Sequence, residues 1–428
     1  MKKARLLTLA LCLMLIFSFS SALGFAQTTV DVTVLNSKGE IQTQLEEIAE
    51  HYNRATSGVK VEIVPCPVGQ SPFERTMAMY SAGNAPTIAM LDPADVVRFQ
   101  DKALDLTAEQ WVKDAIERSL DRSTLPNGSV IGFPFTVEAY GFIYNKQVVD
   151  KAVGGKFDPM SIKTTADLEA LFNKIESSGT GALVISPMDW SLGAHFLAVS
   201  YTTQSANSSG IDEFFSKLRD GKANLAANKQ FIGLMDTFDM MKKYNVDKND
   251  PLSGTYDRGP ELLGKGKVGI WFMGNWAWPN INEFDTANGQ YGFLPVPISN
   301  NPSDYGNSQI PVGVTKYFIV DREQSTEAQQ KAAKNFLNWL VYDEKGQEYV
   351  VNQANVIPAF KNVTVEPKDP LAKSILEYVM NGKTLEFMTQ LPADHWPVVG
   401  ASMQKYLAGA IDRNGLAAEI EGYWSKLR

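Results

Sequence analysis

The sequence predicts an α/β protein built in two blocks, and three observations carry that reading. Val30–Leu35, the helical spacing of Ile41, Leu45, Ile48 and Tyr52, and Val59–Val64 make a strand, helix and strand in close succession, the unit that begins a parallel sheet. A second succession of helices and short apolar strands begins near Asp167. No internal repeat or low-complexity linker divides the two. The blocks are therefore expected to be lobes joined by ordered crossing strands, with mixed, mostly parallel sheets and a ligand cleft between them.

Each element has a local reason. The first strand is rich in Val and ends at Asn36, and Gly58 stops the helix before the second strand. Glu74–Ala82 reads as a helix and Thr87–Leu91 as a short apolar strand. Asn127-Gly128 is a hairpin turn between Thr124-Leu125 and Val130–Phe133. In the second block Asp167–Ile175, Ser191–Tyr201 and Phe231–Tyr244 have helical spacing. Ala182–Ser186, Val268–Met273, Gly292–Val296 and Lys316–Val320 read as strands. Ala328–Tyr342 is a helix with Ala332, Phe336, Trp339 and Leu340 inward, and the tail from Leu371 is nearly all helical. On this division lobe 1 is residues 27–136 with 296–350, and lobe 2 is residues 137–295 with 351–428.

Composition narrows the function. With 44% hydrophobic and 21% charged residues among 428, the chain suits a folded protein. Lys2, Lys3 and Arg5 precede the apolar run Leu6–Phe19 and then small residues, the order of a secretory signal. A cut after Ala26, with Gly24 at −3, is expected; a cut after Ala22 and an uncleaved anchor are the alternatives. Removing the leader takes the net charge from −8 to −11, which argues against nucleic acid as a partner, since phosphate contacts need clustered Lys and Arg. Three histidines and two cysteines leave little for a metal site, a haem or a disulfide scaffold. Cys12 follows Leu11 rather than a small residue, so lipidation there is disfavoured. Cys66 reads as a small buried hydrophobe.

Several local patterns lead nowhere. Gly264-Lys265-Gly266-Lys267-Val268-Gly269 satisfies G-x-G-x-x-G, but it follows a helix and leads into a strand, the reverse of a dinucleotide turn. No P-loop, HExxH or GxSxG motif is present. His395 beside Asp394 could orient an imidazole, yet no nucleophile is marked. Three Asn-x-Ser/Thr patterns carry little weight.

The tryptophans are unevenly placed. Trp271, Trp276 and Trp278 fall in Ile270-Trp271-Phe272-Met273-Gly274-Asn275-Trp276-Ala277-Trp278-Pro279, Trp190 follows Ser186-Pro187-Met188-Asp189, and Trp396 lies in Asp394-His395-Trp396-Pro397. Trp190, Trp276 and Trp396 neighbour Gly, Pro, Asp or His, which is loop chemistry at strand ends, where open α/β sheets bind ligands; Trp271 and Trp278 read more readily as packing residues. An exposed indole beside carboxylates and amides suits a sugar. The ring meets the C–H face, and acceptors and donors meet the hydroxyl edge.

These segments resemble a known family. Thr136-Val137-Glu138-Ala139-Tyr140-Gly141-Phe142-Ile143-Tyr144-Asn145-Lys146 and Gly274-Asn275-Trp276-Ala277-Trp278-Pro279-Asn280-Ile281 are the most specific. Tyr291-Gly292-Phe293-Leu294-Pro295-Val296-Pro297 and Phe336-Leu337-Asn338-Trp339-Leu340 are similar too. Over nearly all of the mature chain the sequence resembles the extracellular carbohydrate-binding proteins of ABC importers, the maltose-binding-protein-like group. The resemblance implies a two-lobe periplasmic-binding-protein type II fold, a sugar, expected to be an oligosaccharide, held in the cleft, and delivery to membrane permease subunits. It implies a monomer without cofactor or catalysis, secreted and associated with the cell surface. It assigns a hydroxyl-binding carboxylate to Glu138, stacking rings to Trp276 and Trp396, a polar–aromatic pair to Asp189 and Trp190, and a first-loop lysine to Lys38. Asn275, Tyr140 and His395 join the candidate site as neighbours of these residues. After Ala85–Met90, maltose binders carry a tryptophan, an acid and an arginine. Here Leu91-Asp92-Pro93-Ala94-Asp95 has neither ring nor arginine, and Asp92 or Asp95 would replace the acid. That departure weakens maltodextrin as the ligand and leaves a sugar expected. A secreted glycoside hydrolase and a binder of a peptide or polyamine are the alternatives.

Overall fold

The computed structural model describes residues 29–427 apart from 68, 69, 117, 286, 288 and 393; the leader expected over residues 1–26 and Cys12 lie outside the described residues. The strands in chain order are β1 (Val30–Asn36), β2 (Val59–Pro65), β3 (Ile88–Leu91), β4 (Phe133–Asn145), β5 (Gly181–Val184), β6 (Val268–Gly274), β7 (Tyr291–Leu294), β8 (Ile310–Val320) and β9 (Thr384–Glu386). They join in the order β2-β1-β3-β8-β4-β6-β5, with β7 on β4 and β9 on β8. The first block opens as expected. β1 and β2 pair in parallel from Val30↔Val59 to Asn36↔Pro65, and the helix Gln42–Ala55 between them buries Leu45, Ile48, Ala49 and Tyr52.

The sheet is mixed in equal parts. The β1·β2, β1·β3, β5·β6 and β8·β9 pairs are parallel, and β3·β8, β4·β6, β4·β7 and β4·β8 are antiparallel. The parallel share is smaller than the sequence suggested because β4 or β8 takes part in every antiparallel pair. β4 is the pivot of the architecture. Phe133–Ala139 pairs with β8, and Tyr140–Asn145 pairs with β6 and β7, so one strand serves the sheets of both blocks. The register with β8 shifts between Pro134 and Thr136 and again before Val137, which bends and twists a strand locally.

Packing follows this division. One apolar cluster joins β1, β2 and the helices Gln42–Ala55 and Glu327–Tyr342 to Phe133 and Phe135. A second joins Tyr140, Phe142 and Tyr144 to the helices Thr165–Ser177, Lys229–Tyr244 and His395–Leu407. A third runs through residues of both blocks, from Leu91 to Trp271 and Phe293. Val356 and Phe360, which follow residue 350, also pack in the first cluster. The turn at Asn127-Gly128 forms, with Gly128 at φ 88°, but a single Thr124↔Val130 bridge replaces the expected hairpin strands. Among the described residues no helix is long and apolar enough to cross a membrane.

Candidate functional site

The first-block wall of the site begins where β1 ends. Asn36 fixes the loop after it by accepting the Lys38 backbone N–H (2.8 Å) and donating to the Lys38 carbonyl (2.9 Å). The lysine side chain is thereby aimed at β4. Its ammonium lies 2.5 Å from Glu138 Oε1 and 2.6 Å from Glu40 Oε1. Lys38 and Glu138 are both buried, with under a tenth of their surfaces exposed. Burial alone would lower the Lys38 pKa, but the charge of Glu138, then that of Glu40, outweighs it and holds the ammonium well above the ordinary lysine value. Burial likewise pushes the Glu40 carboxyl up, and Lys38 overrides it, so Glu40 sits below the usual carboxylate range. Lys316 adds to this pull and bonds Asp92 at 2.5 Å. Asp92, Lys316, Glu40, Lys38 and Glu138 thus form a row of alternating sign with one excess negative charge.

The second-block wall is aromatic. β6 ends at Gly274, and the chain turns so that the Trp276 ring lies back over that glycine. A Cβ on Gly274 would sit 2.1 Å from the ring, so only glycine admits the fold-back. Asn275 stitches this turn to β4 by accepting the Ala139 N–H at 2.9 Å. Trp190 opens the widened helical turn Ser191–Phe196, with Asp189 accepting the Trp190 N–H. Its ring centroid is 6.3 Å from Trp276 and 6.0 Å from Tyr256. Trp190 and Trp276 are partly exposed. Between the two walls Lys38, Glu40, Thr136, Glu138, Asn275, Trp276, Pro279 and Asn355 line a narrow recess, with an inner volume of about 10 Å³ that widens to about 290 Å³ when counted out to open solvent. Asn355 is one of two non-glycine residues with positive φ among those described, at 52°, a conformation asparagine tolerates better than most residues.

The ten sequence-expected residues therefore divide. Lys38, Glu138, Asn275 and Trp276 line the recess together, and Trp190 and Asp189 adjoin Trp276. Trp396 stands 40% exposed on the first turn of the helix His395–Leu407, which lies directly on the Trp190 segment. A Cβ on Gly193 would be 2.8 Å from the Gly400 nitrogen, and one on Gly400 would be 2.3 Å from the Asp189 carbonyl. Among the described residues no ring packs against Trp396. Asp92 is outside the recess lining, occupied with Lys316. Two residues are placed otherwise than the sequence suggested. His395 is wholly buried, its Nε2 3.2 Å from the Tyr201 hydroxyl and its ring against Tyr423 and Trp424. Adjacent helical residues point about 100° apart, so one of His395 and Trp396 had to turn inward. Tyr140 is also wholly buried; its ring meets Phe272 and Phe387, and burial pushes its phenol pKa up.

Three participants escaped sequence reasoning: His195, Tyr256 and Phe387. The His195 centroid lies 4.9 Å from Trp276, 5.6 Å from Trp190, 5.0 Å from Tyr140 and 5.8 Å from Phe387. Tyr256 bridges Trp190 and Trp271 and donates to Asn280 at 3.2 Å. Only the rarity of histidine could have drawn attention to His195. Trp271 is a packing residue, fully buried and donating to Ser186 at 2.9 Å. Among the described residues no group of three or more His, Cys, Asp or Glu could hold a metal ion. Chemically, the site offers flat apolar faces beside two carboxylates that share one buried ammonium.

Comparison with known proteins bears on this geometry. The family model described as bacterial extracellular solute-binding protein matches residues 47–374. An uncharacterised ABC transporter extracellular-binding protein of Pyrococcus horikoshii is 24% identical over 351 residues, 79% of this chain and 73% of the relative. A maltooligosaccharide ABC transporter solute-binding lipoprotein of Streptococcus pneumoniae is 24% identical over 375 residues, 85% of this chain and 81% of that protein. The structure of RafE from Streptococcus pneumoniae in complex with raffinose superposes with a TM-score of 0.75 at 20% identity, covering 93% of this chain and all of that chain. At that identity the likeness establishes the fold, with its two lobes and crossover strands.

Proposed function

We propose, for a chain that belongs to the bacterial extracellular solute-binding protein family, that it captures a sugar in the recess between Lys38 and Trp276 and delivers it to the permease of an ABC importer. The ligand is an oligosaccharide, the protein acts outside the cytoplasmic membrane as a monomer, and it carries out no chemistry on what it binds. The observation that carries this reading is the juxtaposition of the partly exposed Trp276 ring with the Lys38–Glu138–Glu40 network in one recess, with the partly exposed Trp190 ring beside Trp276. Rings take the C–H face of a pyranose, and ionised carboxylates accept its hydroxyl hydrogens. Two relatives support the ligand class, since their names refer to maltooligosaccharide and to raffinose.

Capture would proceed by closure of the lobes about β4 and β8, the hinge motion by which two-lobed binding proteins enclose their ligands. A ligand shifts such an equilibrium only by its differential affinity, and a sugar bonded to Lys38 on one block and stacked on Trp276 on the other meets that condition. Against glycoside cleavage, both recess carboxylates bond the same ammonium and Glu40 is held ionised, whereas cleavage needs one carboxyl that keeps its proton. Calorimetry with malto- and raffinose-type oligosaccharides tests the reading on Trp276→Ala. Losing a stacked ring and about 100 Å² of apolar contact costs ~2–3 kcal/mol, so affinity should fall well beyond tenfold with the fold intact. Wild-type affinity in the folded variant would overturn the assignment.

A further inference from the structure

We infer that His195, whose ring packs against those of Trp190 and Trp276, is a ligand-reading residue: its Nε2 exchanges a hydrogen bond with a sugar hydroxyl at the aromatic wall. This rests on the sugar reading above and adds to it a polar contact beneath the stacking rings.

His195 is the hub of the wall, with rings from four separate segments around it: Tyr140 on β4, Trp190, Trp276, and Phe387 just past β9. A purely apolar packing role would be filled as well by phenylalanine, which leaves no polar atom to satisfy. Imidazole has two nitrogens, and they differ here. Nδ1 is sealed from solvent with no hydrogen-bond partner among the described residues. Nε2 is not among the sealed, unpartnered atoms, and His195 as a whole is half-buried, which makes Nε2 the edge assigned to a ligand. Such widened turns are frequent at functional sites, and this one is held from behind by the Gly193–Gly400 contact.

The ring must also be neutral to serve a neutral hydroxyl over a wide pH range. The groups packed on it are Tyr140, Trp190, Trp276 and Phe387, of which only the Tyr140 phenol titrates, and burial pushes that upward. Among the described residues no charged side chain acts on the imidazole, and burial alone pushes it down to about 3. A neutral imidazole donates from one nitrogen and accepts at the other, and hydroxyls of a sugar can do either.

The test is calorimetry on the full-length protein with a panel of malto- and raffinose-type oligosaccharides, using wild type, His195→Phe, His195→Gln and Trp276→Ala, with thermal unfolding on each. For the best-binding sugar, His195→Phe should weaken affinity at least tenfold at near-wild-type melting temperature. His195→Gln, which restores a polar edge, should recover part of the loss. Wild-type affinity should stay within twofold from pH 5 to 8. Unchanged affinity in His195→Phe with a large loss in Trp276→Ala would overturn the role of His195 and leave the sugar site standing. A wild-type affinity that falls with a midpoint between pH 6 and 7 would likewise overturn it. Binding of no sugar by the wild type would overturn the sugar reading, and the role of His195 with it.

Discussion

Replacing Lys38 with methionine isolates the electrostatics of the recess. The ammonium sits 2.5 Å and 2.6 Å from two carboxylates and is buried with Glu138. Methionine keeps the length and apolar stem of the side chain but leaves the acids facing each other without a cation. Breaking a buried pair by removing one partner costs ~3–5 kcal/mol. With an unfolding entropy of ~2.1 cal/mol/K per residue over about 400 residues, ~4 kcal/mol corresponds to a fall of about 5 °C in melting temperature. The pH dependence has a definite sign. In the wild type Glu40 is depressed by Lys38, so its contribution is present above the ordinary glutamate value and is lost as pH falls through the folded value. Lys38 is raised, so its contribution is complete everywhere below 10.5. In Lys38→Met the burial of Glu40 is opposed only by the smaller pulls of a backbone hydrogen bond and Lys316, and protonation relieves it. The deficit should therefore be largest near pH 7.5 and shrink towards pH 4.5. Scanning calorimetry at both values measures this, and Lys38→Met/Glu138→Gln should recover much of the loss. A single variant as stable as wild type at pH 7.5, or a double variant no better than the single, would refute the argument.

Further outcomes follow from the same structure. Asp369 is sealed, caps the helix Pro370–Met380 through the Leu371 N–H at 2.7 Å, and leaves its second oxygen unbonded, so burial pushes its carboxyl up to about 7. A raised acid favours the folded state as pH falls. Asp369→Asn, which keeps the cap, should stabilise by up to ~4 kcal/mol at pH 8 and by under ~2 kcal/mol at pH 5; equal gains at both, followed by denaturant titration, would contradict this. Gly400→Ala places a Cβ against the Asp189 carbonyl and should cost ~1–3 kcal/mol of stability while weakening sugar affinity, because the helix of Trp396 must shift away from the Trp190 turn. An unchanged melting temperature and affinity would show that the contact is slack. The Trp276→Ala and His195→Phe measurements described above complete the set.

The parts of the fold that could be read from sequence were those with local causes. β1, its helix and β2 were legible because a Val-rich run, a 3.6-residue spacing and Gly58 each act within a few positions. β4 was not recognised as a single strand. All 13 of its residues are buried, so it shows no alternation, and Pro134 and Gly141 interrupt the usual strand composition. Its length is explained only by two sheets needing it. In the same way Trp276 stood out by its loop neighbours and Glu138 and Lys38 through segment resemblance, whereas His195 and Phe387 had no signal of their own, since what matters about them is which rings the topology brings near. Tyr140 lies in the most recognisable segment, yet two positions along a strand from Glu138, at the change of partners from β8 to β6, it enters the second core.

The register breaks in β4 fall at Pro134, Thr136 and Val137, next to Glu138. The irregular stretch of the connecting ribbon is therefore also where the recess keeps a charged anchor. Closure about β4, as proposed, would swing the Glu138 carboxylate relative to the Lys38 loop, so that occupancy of that anchor would act on the pivot itself. On that reading no relay through distant side chains would be required for the molecule to register that it is full.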